Sequence, residues 1–312
     1  MGPPDRHNSF RPMRPTFLIL GAMKAGTTAL YTRLGTHPEV FMSPVKEPNY
    51  FAFAEQDLHF RAPIDRRPDG INHTSITDWD AYCALYDEAD PDQARGEASH
   101  TSLYWPDAAE NVQRRVPEAR LIAVLRNPVE RAYSEYLHFR RDGDEPLDSF
   151  VAALDAEAER IRNDWAMGRY VDRGRYDEQL ARYLERFDRE QLRVVLHEDL
   201  VESPEAVLRD LCSHIGVDPS VELQGDRRVN KSGVPEHPWV HAVLTGLQPV
   251  REALGPLVPD RVVDWANALK NRNLEKPQMR SAARRRLIDT YRPHVRALEY
   301  LLDRDLSRWL DE

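Results

Sequence analysis

Short apolar segments alternate with amphipathic segments along most of this chain. Continuous apolar runs within 16–20, 120–126 and 192–196 have the length of buried strands, and 40–42 and 96–99 indicate two more short strands. Because strands that alternate with helices are typical of βαβ units, the pattern predicts a parallel sheet. Right-handed crossovers would then place a ligand at the carboxyl ends of the strands.

The same pattern predicts helices and loops between these strands. Pro293 is expected to kink or split the last helix, and residues 43–78 and 197–199 are expected to form loops. Helices are predicted after Gly26 and over 79–88, 128–141, 148–168, 175–187, 204–215 and most of 281–309.

These elements predict an α/β fold: a P-loop-like three-layer sandwich with a central, mainly parallel sheet flanked by helices. The polar, proline-rich residues 1–15 are predicted to be a flexible N-terminal arm. Because no linker divides the remainder, we predict a single domain over residues 16–312.

Composition and charge exclude several classes of protein. The 312 residues are 41% apolar and 30% charged, which is a globular composition, and the formal charge of −9 argues against broad binding to nucleic acid or an anionic membrane. Two cysteines are too few for a disulfide framework. With no apolar run near the ~20 residues of a bilayer span and no secretory signal, we expect a cytoplasmic protein. The oligomeric state is left open, a homo-oligomer included.

A glycine-rich loop with a lysine inside it follows the first predicted strand. Gly21 and Gly26 bracket Lys24, and a helix is predicted to begin directly afterwards. In that setting the loop amides and the helix N-terminus can hold a phosphate-like anion. A nucleotide-triphosphate loop would instead carry Lys-Ser/Thr after its last glycine, where this chain has Thr27 and Thr28. The alternative is a plain strand–helix turn with a surface lysine.

A second candidate site follows the strand at 120–126. Arg126 ends the strand, Asn127 is a suitable N-cap and Pro128 suits the first helical position. Ser134 lies seven residues after the cap on the same helix face. A guanidinium and a hydroxyl together suit a phosphate monoester. The alternative is that Arg126 pairs with a neighbouring carboxylate and Ser134 packs in the core.

These segments together resemble a known family. Residues 24–28 resemble the 5'-phosphosulfate-binding loop of sulfotransferases, and 125–134 resemble their 3'-phosphate-binding strand and helix. Residues 45–51 resemble the Lys-Glu-x-x-Phe-Phe segment of the carbohydrate (heparan-sulfate-like) branch, and 229–233 resemble the late donor-binding loop. The resemblance, over roughly 16–310, is to a soluble bacterial member related to that branch. The late loop departs from the usual Arg-Lys-Gly spelling, and the family's Lys-Thr-Pro run has a counterpart near 97–101 without a lysine.

The resemblance implies sulfuryl transfer from 3'-phosphoadenosine 5'-phosphosulfate (PAPS) to a hydroxyl or amine of a carbohydrate or small-molecule natural product. Transfer would be an in-line displacement that needs no metal and leaves adenosine 3',5'-bisphosphate. Lys24 would meet the charge of the leaving phosphate, and Glu47 would be the catalytic base, with His100 as the alternative. Because Glu47 precedes Pro48, its backbone is expected to be extended. The implied donor-binding residues are Lys24, Ala25, Gly26, Thr27, Thr28, Arg126, Ser134, Lys231, Ser232 and Gly233.

Two other functions remain open from the sequence. One is a P-loop kinase or nucleotide hydrolase, which would need Lys-Ser/Thr after Gly26 and an acidic strand end for magnesium. The other is a catalytically silent nucleotide-binding protein that keeps the loop alone. The acceptor cannot be identified from the residues, although the loops at 52–78 and 142–175 are expected to shape its pocket.

Overall fold

The computed structural model describes residues 13–224, 234–235, 274–275 and 277–311. Most of the predicted arm, and Lys231, Ser232 and Gly233 of the predicted late loop, lie outside these described residues. The chain groups into two compact units. Of the described residues, the sheet unit contains 13–59, 71–126 and 178–224, and the helical unit contains 60–70, 127–177, 234–235, 274–275 and 277–311. A single domain over 16–312 stays a prediction.

The sheet unit is built on five parallel strands in the order β2-β3-β1-β4-β5. From the central β1 the chain builds β2 and β3 on one side and then β4 and β5 on the other. The order therefore reverses beside β1, where open α/β sheets bind ligands. The predicted α/β class is confirmed. The strands are β1 Phe17–Gly21, β2 Val40–Met42, β3 Ala94–Ala98, β4 Arg120–Leu125 and β5 Leu192–Leu196.

The two central strands are buried on both faces. All five residues of β1 are buried, and so are five of the six in β4. Strands covered on both sides by helices are expected to be continuously apolar, which explains why the sequence identified them.

The helices are α1 Thr27–Leu34, α2 Tyr50–Phe53, α3 Ile71–Thr74, α4 Trp79–Cys83, α5 His100–Tyr104, α6 Ala108–Arg115, α7 Pro128–Asp142, α8 Phe150–Arg162, α9 Tyr176–Leu184, α10 His197–Glu202, α11 Pro204–Ile215 and α12 Ser281–Leu302.

The helical unit contains α7, α8, α12 and a two-stranded antiparallel pair, β6 Val234–Pro235 with β7 Leu274–Glu275. The predicted start of α7 is confirmed, because the Asn127 side chain accepts hydrogen bonds from the N–H groups of Val129 and Glu130. Inside the unit, Arg160 donates to both carboxylate oxygens of Glu145 at 2.7 and 2.8 Å. A buried ion pair with this two-point geometry ties the loop between α7 and α8, which carries Glu145, to α8, which carries Arg160.

Four sequence predictions were wrong in part. Residues 43–78 contain α2, α3 and a 3-10 turn at Ile64–Arg66, because the aromatic residues of α2 are buried. The predicted loop at 197–199 begins α10, and its two acidic residues favour a helix start. The predicted helix 148–168 ends at Arg162. The last helix continues through Pro293, since the buried side chains of its apolar face lie on both sides of the proline.

Within the described part of the chain, no helix combines the length and the apolar character that a bilayer crossing requires.

The register of the central strands generates one prediction about stability. Phe17 on β1 pairs with Gly96 on β3, and a Cβ added to Gly96 would lie 2.1 Å from the ring of Phe17, which is fully buried. We expect Gly96→Ala to reduce the free energy of unfolding by roughly 1–3 kcal/mol, measured by urea denaturation.

The double variant Gly96→Ala/Phe17→Leu checks the cause of that loss. Since the smaller leucine removes the clashing ring, the second substitution should cost less in the Gly96→Ala background than in the wild type. Equal costs in the two backgrounds would contradict the assigned clash.

Candidate functional site

All five strands of the sheet unit end at the same edge of the sheet. Each is followed by a residue or loop that could bind a ligand or take part in catalysis. The loop 21–26 follows β1, Arg126 follows β4 and His197 follows β5. On the other side of β1, Glu47 lies five residues after β2, and His100 lies two residues after β3. The parallel topology therefore brings together residues that are up to 176 positions apart in the sequence.

The loop at residues 21–26, the anion loop, has a backbone conformation that suits the binding of an anion. A bulge lies between Ile19 and Gly21 in the pairing with β4. Lys24 and Gly26 then adopt left-handed backbone conformations, with φ of 62° and 106°. Gly26 is the N-cap residue of α1, whose first N–H groups have no acceptor within the helix. Those donors, with the positive end of the helix, suit an anion placed over the loop.

Arg126 holds the loop directly. Its Nη1 donates to the backbone carbonyl of Lys24 at 3.1 Å, and its side chain is half-buried. The sequence singled out Arg126 and Lys24 as two separate anion ligands. The structure brings the two residues together, because the Arg126 side chain contacts the backbone of Lys24 at the carboxyl edge of β1 and β4.

On the opposite side of β1, a carboxylate lies between two basic groups. Lys46 Nζ is 2.6 Å from Glu47 Oε1, and His100 Nε2 is 3.4 Å from Glu47 Oε2. The Glu47 side chain is 34% exposed and that of His100 is 8% exposed. The two residues that the sequence offered as alternative bases are therefore in contact with each other, and Glu47 is the more accessible.

The backbone of the segment that carries Glu47 is strained. Glu47 and Asn49 have φ of 61° and 60°, so the predicted extended conformation of Glu47 is wrong. Two hydrogen bonds explain the difference: Glu47 N–H donates to Ala98 O at 3.0 Å, and Asn49 N–H donates to Ser99 Oγ at 3.1 Å. Left-handed conformations of such residues cost about 1–3 kcal/mol each, and such strain occurs mostly at functional sites.

The strained segment is brought close to the anion loop by the packing of α5 on the end of β1. A Cβ added to Gly21 would lie 3.0 Å from Leu103 Cβ and 3.2 Å from the carbonyl oxygen of His100. Because Gly21 also has a φ of 148°, only glycine suits this position without strain. This glycine therefore sets the distance between the loop and His100.

The sequence analysis did not identify His197 as a site residue. Its ring carbon Cδ2 would lie 3.5 Å from a Cβ added to Gly26, so the imidazole is beside the loop. Burial and the positive charge of Arg126 lower the pKa of His197 below its usual value. The position of His197 directly after a predicted strand could have identified it, because ligands of parallel sheets bind at that edge.

A buried carboxyl group on β3 was also missed as a functional candidate. Glu97 is fully buried, and the hydroxyl of Ser99 donates to its Oε2 at 2.6 Å. Burial raises the pKa of Glu97 to about 8, although the Ser99 hydrogen bond acts in the opposite direction. Glu97 is therefore mostly protonated at neutral pH.

The other predicted donor-binding residues divide between the units. Ala25 and Thr27 are buried and Thr28 is half-buried in the sheet unit, at the end of the loop and the start of α1. Ser134 is buried on α7 in the helical unit. Joint binding of a phosphate by Arg126 and Ser134 stays a prediction. Among the described residues, no cluster of three or more His, Cys, Asp and Glu side chains could hold a metal ion.

Comparison with known proteins shows a consistent set of relatives. The family model described as "Sulfotransferase family" matches residues 15–220. A crystal structure of a sulfotransferase from Alicyclobacillus acidocaldarius is 32% identical with a TM-score of 0.74, and the match covers 96% of this chain and 99% of that one.

Two curated relatives are longer than this chain. Human carbohydrate sulfotransferase 15 is 26% identical over 256 residues, which cover 67% of this chain and 45% of the relative. The bovine bifunctional heparan sulfate N-deacetylase/N-sulfotransferase 2 is 27% identical over 314 residues, covering 96% of this chain and 31% of the relative. The chain thus spans less than half the length of these curated relatives.

The electrostatic coupling between Arg126 and His197 can be measured. We expect Arg126→Gln to raise the pKa of His197, because the substitution removes a positive charge that disfavours the imidazolium. NMR titration of the histidine ring resonances gives the pKa. Arg193→Gln is the matched control, since the charge of Arg193 acts on His214 instead. An Arg126 variant that leaves the His197 titration unchanged would contradict the geometry.

Proposed function

Because the chain belongs to the sulfotransferase family, we propose that it transfers a sulfuryl group from PAPS to a hydroxyl or amine of a carbohydrate or small-molecule natural product. The observation that carries the proposal is the arrangement around β1: an anion loop with Lys24 and Arg126 on one side, and an accessible carboxylate, Glu47, on the other. The anionic groups of the donor need the positively charged side, and the acceptor, which must lose a proton, needs the carboxylate.

The residues fit this donor. Lys24 and the N–H groups of Gly26, Thr27 and Thr28 would hold the 5'-phosphosulfate at the N-terminus of α1. The guanidinium of Arg126 would take the 3'-phosphate, together with Ser134 and with Lys231, Ser232 and Gly233. A guanidinium presents several N–H donors in a plane and therefore suits the oxygens of a phosphate monoester.

Lys24 would contribute most in the transition state. In an in-line displacement the bond from sulfur to the bridging oxygen of the 5'-phosphate breaks, and negative charge grows on that phosphate. An ammonium group and helix N–H donors that are already in place stabilise this charge without reorganisation. By analogy with phosphoryl transfer, most of the rate enhancement would come from positioning and electrostatics.

Glu47 would accept the proton of the acceptor. Its carboxylate is exposed enough for an acceptor to reach, whereas His100 is nearly buried behind it. Lys46 and His100 contact one carboxylate oxygen each and so hold the orientation of the base. We therefore assign the base to Glu47 and a supporting role to His100. A cytoplasmic location and independence from metal stay predictions.

The role of Lys24 can be tested by binding. We expect the wild-type protein to bind adenosine 3',5'-bisphosphate without magnesium in calorimetry. Lys24→Met should weaken this binding by about 10- to 100-fold, the value of one hydrogen bond to a charged group. Lys46→Met, a change of the same type across β1, should retain the wild-type affinity. Binding that requires magnesium and prefers ATP would instead support a kinase or nucleotide hydrolase.

The role of Glu47 can be tested by turnover with labelled PAPS and a panel of carbohydrate and natural-product acceptors. We expect Glu47→Gln to reduce transfer by about 10²- to 10⁴-fold, the usual contribution of a general base, without changing bisphosphate affinity. His100→Ala should have a smaller effect. A larger loss of transfer in His100→Ala than in Glu47→Gln would assign the base to His100. Bisphosphate binding without transfer to any acceptor would indicate a catalytically silent protein.

A further inference from the structure

Glu97 is a buried carboxyl group whose bonding is incomplete. It lies on β3, its side chain is fully buried, and Ser99 Oγ donates to Oε2 at 2.6 Å. Oε1 has no hydrogen-bond partner among the described residues. A buried polar atom without a partner is costly and calls for an explanation. The proposed sulfuryl transfer assigns no role to Glu97.

The groups around Glu97 disfavour a second negative charge. From α4, the 3-10 turn Ala84–Tyr86 and α9, it faces the buried phenols of Tyr82, Tyr86 and Tyr183, whose pKa values are raised by burial and by the charge of Glu97. From the segment after β2, it faces the charges of Glu47 and Lys46. Lys46, the cation of this set, is already paired with Glu47.

Hydrogen bonds connect Glu97 to the segment that carries the base. The single proton of the Ser99 hydroxyl goes to Glu97, so the same oxygen is left to accept from the N–H of Asn49 at 3.1 Å. Thr101 Oγ1 donates to Asn49 Oδ1 at 2.7 Å and fixes the side chain of the same residue. Asn49 is separated from Glu47 by Pro48 alone, and both flanking residues have left-handed backbones. The strained segment is therefore held at Asn49 by Ser99, directly after β3, and by Thr101 on α5.

We propose that Glu97 is a positioning residue for the catalytic base: through Ser99 and Asn49 its buried carboxyl group fixes the strained segment that presents Glu47. The inference rests on the proposed function, because the role of Glu47 as a base is part of that function. Glu97 is too deeply buried to contact donor or acceptor and acts through its neighbours.

Ionisation of Glu97 should reduce transfer. Burial raises the pKa of this carboxyl to about 8, and the charge of Glu47 acts in the same direction. Below that pH the carboxyl group of Glu97 is neutral. Above it, a second negative charge appears in this buried site, where it repels the Glu47 carboxylate and competes with it for Lys46, although the Ser99 hydroxyl bonds the charged form more strongly. Transfer should then decline as pH rises through about 8.

The contribution of Glu97 to folding stability should also fall as pH rises. The folded protein keeps this proton up to about pH 8, whereas an unfolded chain loses it near the ordinary value of 4.5. The stabilisation from Glu97 is therefore complete below the ordinary value and is lost as pH rises through the folded-state pKa.

The Glu97→Gln variant separates positioning from simple packing. Glutamine keeps the shape and neutrality of the protonated acid but cannot ionise. We expect turnover below pH 7 to change by no more than about threefold, the scale of one ordinary hydrogen bond, while the decline above pH 8 disappears. Ser99→Ala should lower kcat about tenfold or more at every pH, because it misplaces the base, with little change in the KM for PAPS.

An NMR readout makes the inference independent of turnover. In the wild type the amide resonance of Asn49 should titrate with an apparent pKa of about 8, and this titration should be absent in Glu97→Gln. Glu157→Gln is the matched control. Glu157 is a buried carboxyl in the helical unit with a pKa raised to about 7, and its substitution should leave the Asn49 titration and the alkaline decline in place.

The failures of the two proposals are distinguishable. Wild-type protein that transfers no sulfuryl group to any acceptor would overturn the proposed function, and with it the role of Glu97 in supporting a base. Transfer by the wild type combined with an alkaline decline retained in Glu97→Gln would overturn the inference alone. An Asn49 resonance that does not titrate in the wild type, or that still titrates in Glu97→Gln, would have the same consequence.

Discussion

The hydrogen bond from Arg126 to the carbonyl of Lys24 is the contact on which the candidate site depends. It ties the end of β4 to the loop after β1, next to a bulge and two left-handed residues. The guanidinium restrains the backbone of the loop while adding a second positive charge, so one side chain contributes both to structure and to electrostatics.

The central strand β1 separates two opposite electrostatic environments. On one side lie the helix N-terminus of α1, Lys24 and Arg126, which favour negative charge. On the other side lies Glu47, oriented by Lys46 and His100. Sulfuryl transfer needs both conditions at once, because the leaving group gains negative charge while the acceptor loses a proton. The close approach of His100 to Gly21 packs the segment after β3 against the end of β1, which lies between these two environments.

The sequence could predict the features that depend on local patterns. Continuous apolar runs identified β1 and β4, a glycine pair identified the loop, and Asn127-Pro128 identified the start of α7. The sequence could not predict the left-handed backbone of Glu47, because that conformation is imposed by hydrogen bonds to Ala98, which ends β3, and to Ser99, which follows it. Glu97 was missed for a similar reason. It faces the buried rings of Tyr82 and Tyr86, which come from distant segments of the chain. Tyr82 in turn stacks on Tyr50 with the ring centroids 4.8 Å apart, and residue 50 falls in a stretch expected to be loop.

A crystal structure of the protein with adenosine 3',5'-bisphosphate would test the central claim most directly. The account predicts that the 5'-phosphate lies against the N–H groups at the start of α1 and the ammonium of Lys24, with the guanidinium of Arg126 still bonded to the Lys24 carbonyl. A nucleotide bound elsewhere, or a bound state in which Arg126 has left the loop and Lys24 faces solvent, would contradict it.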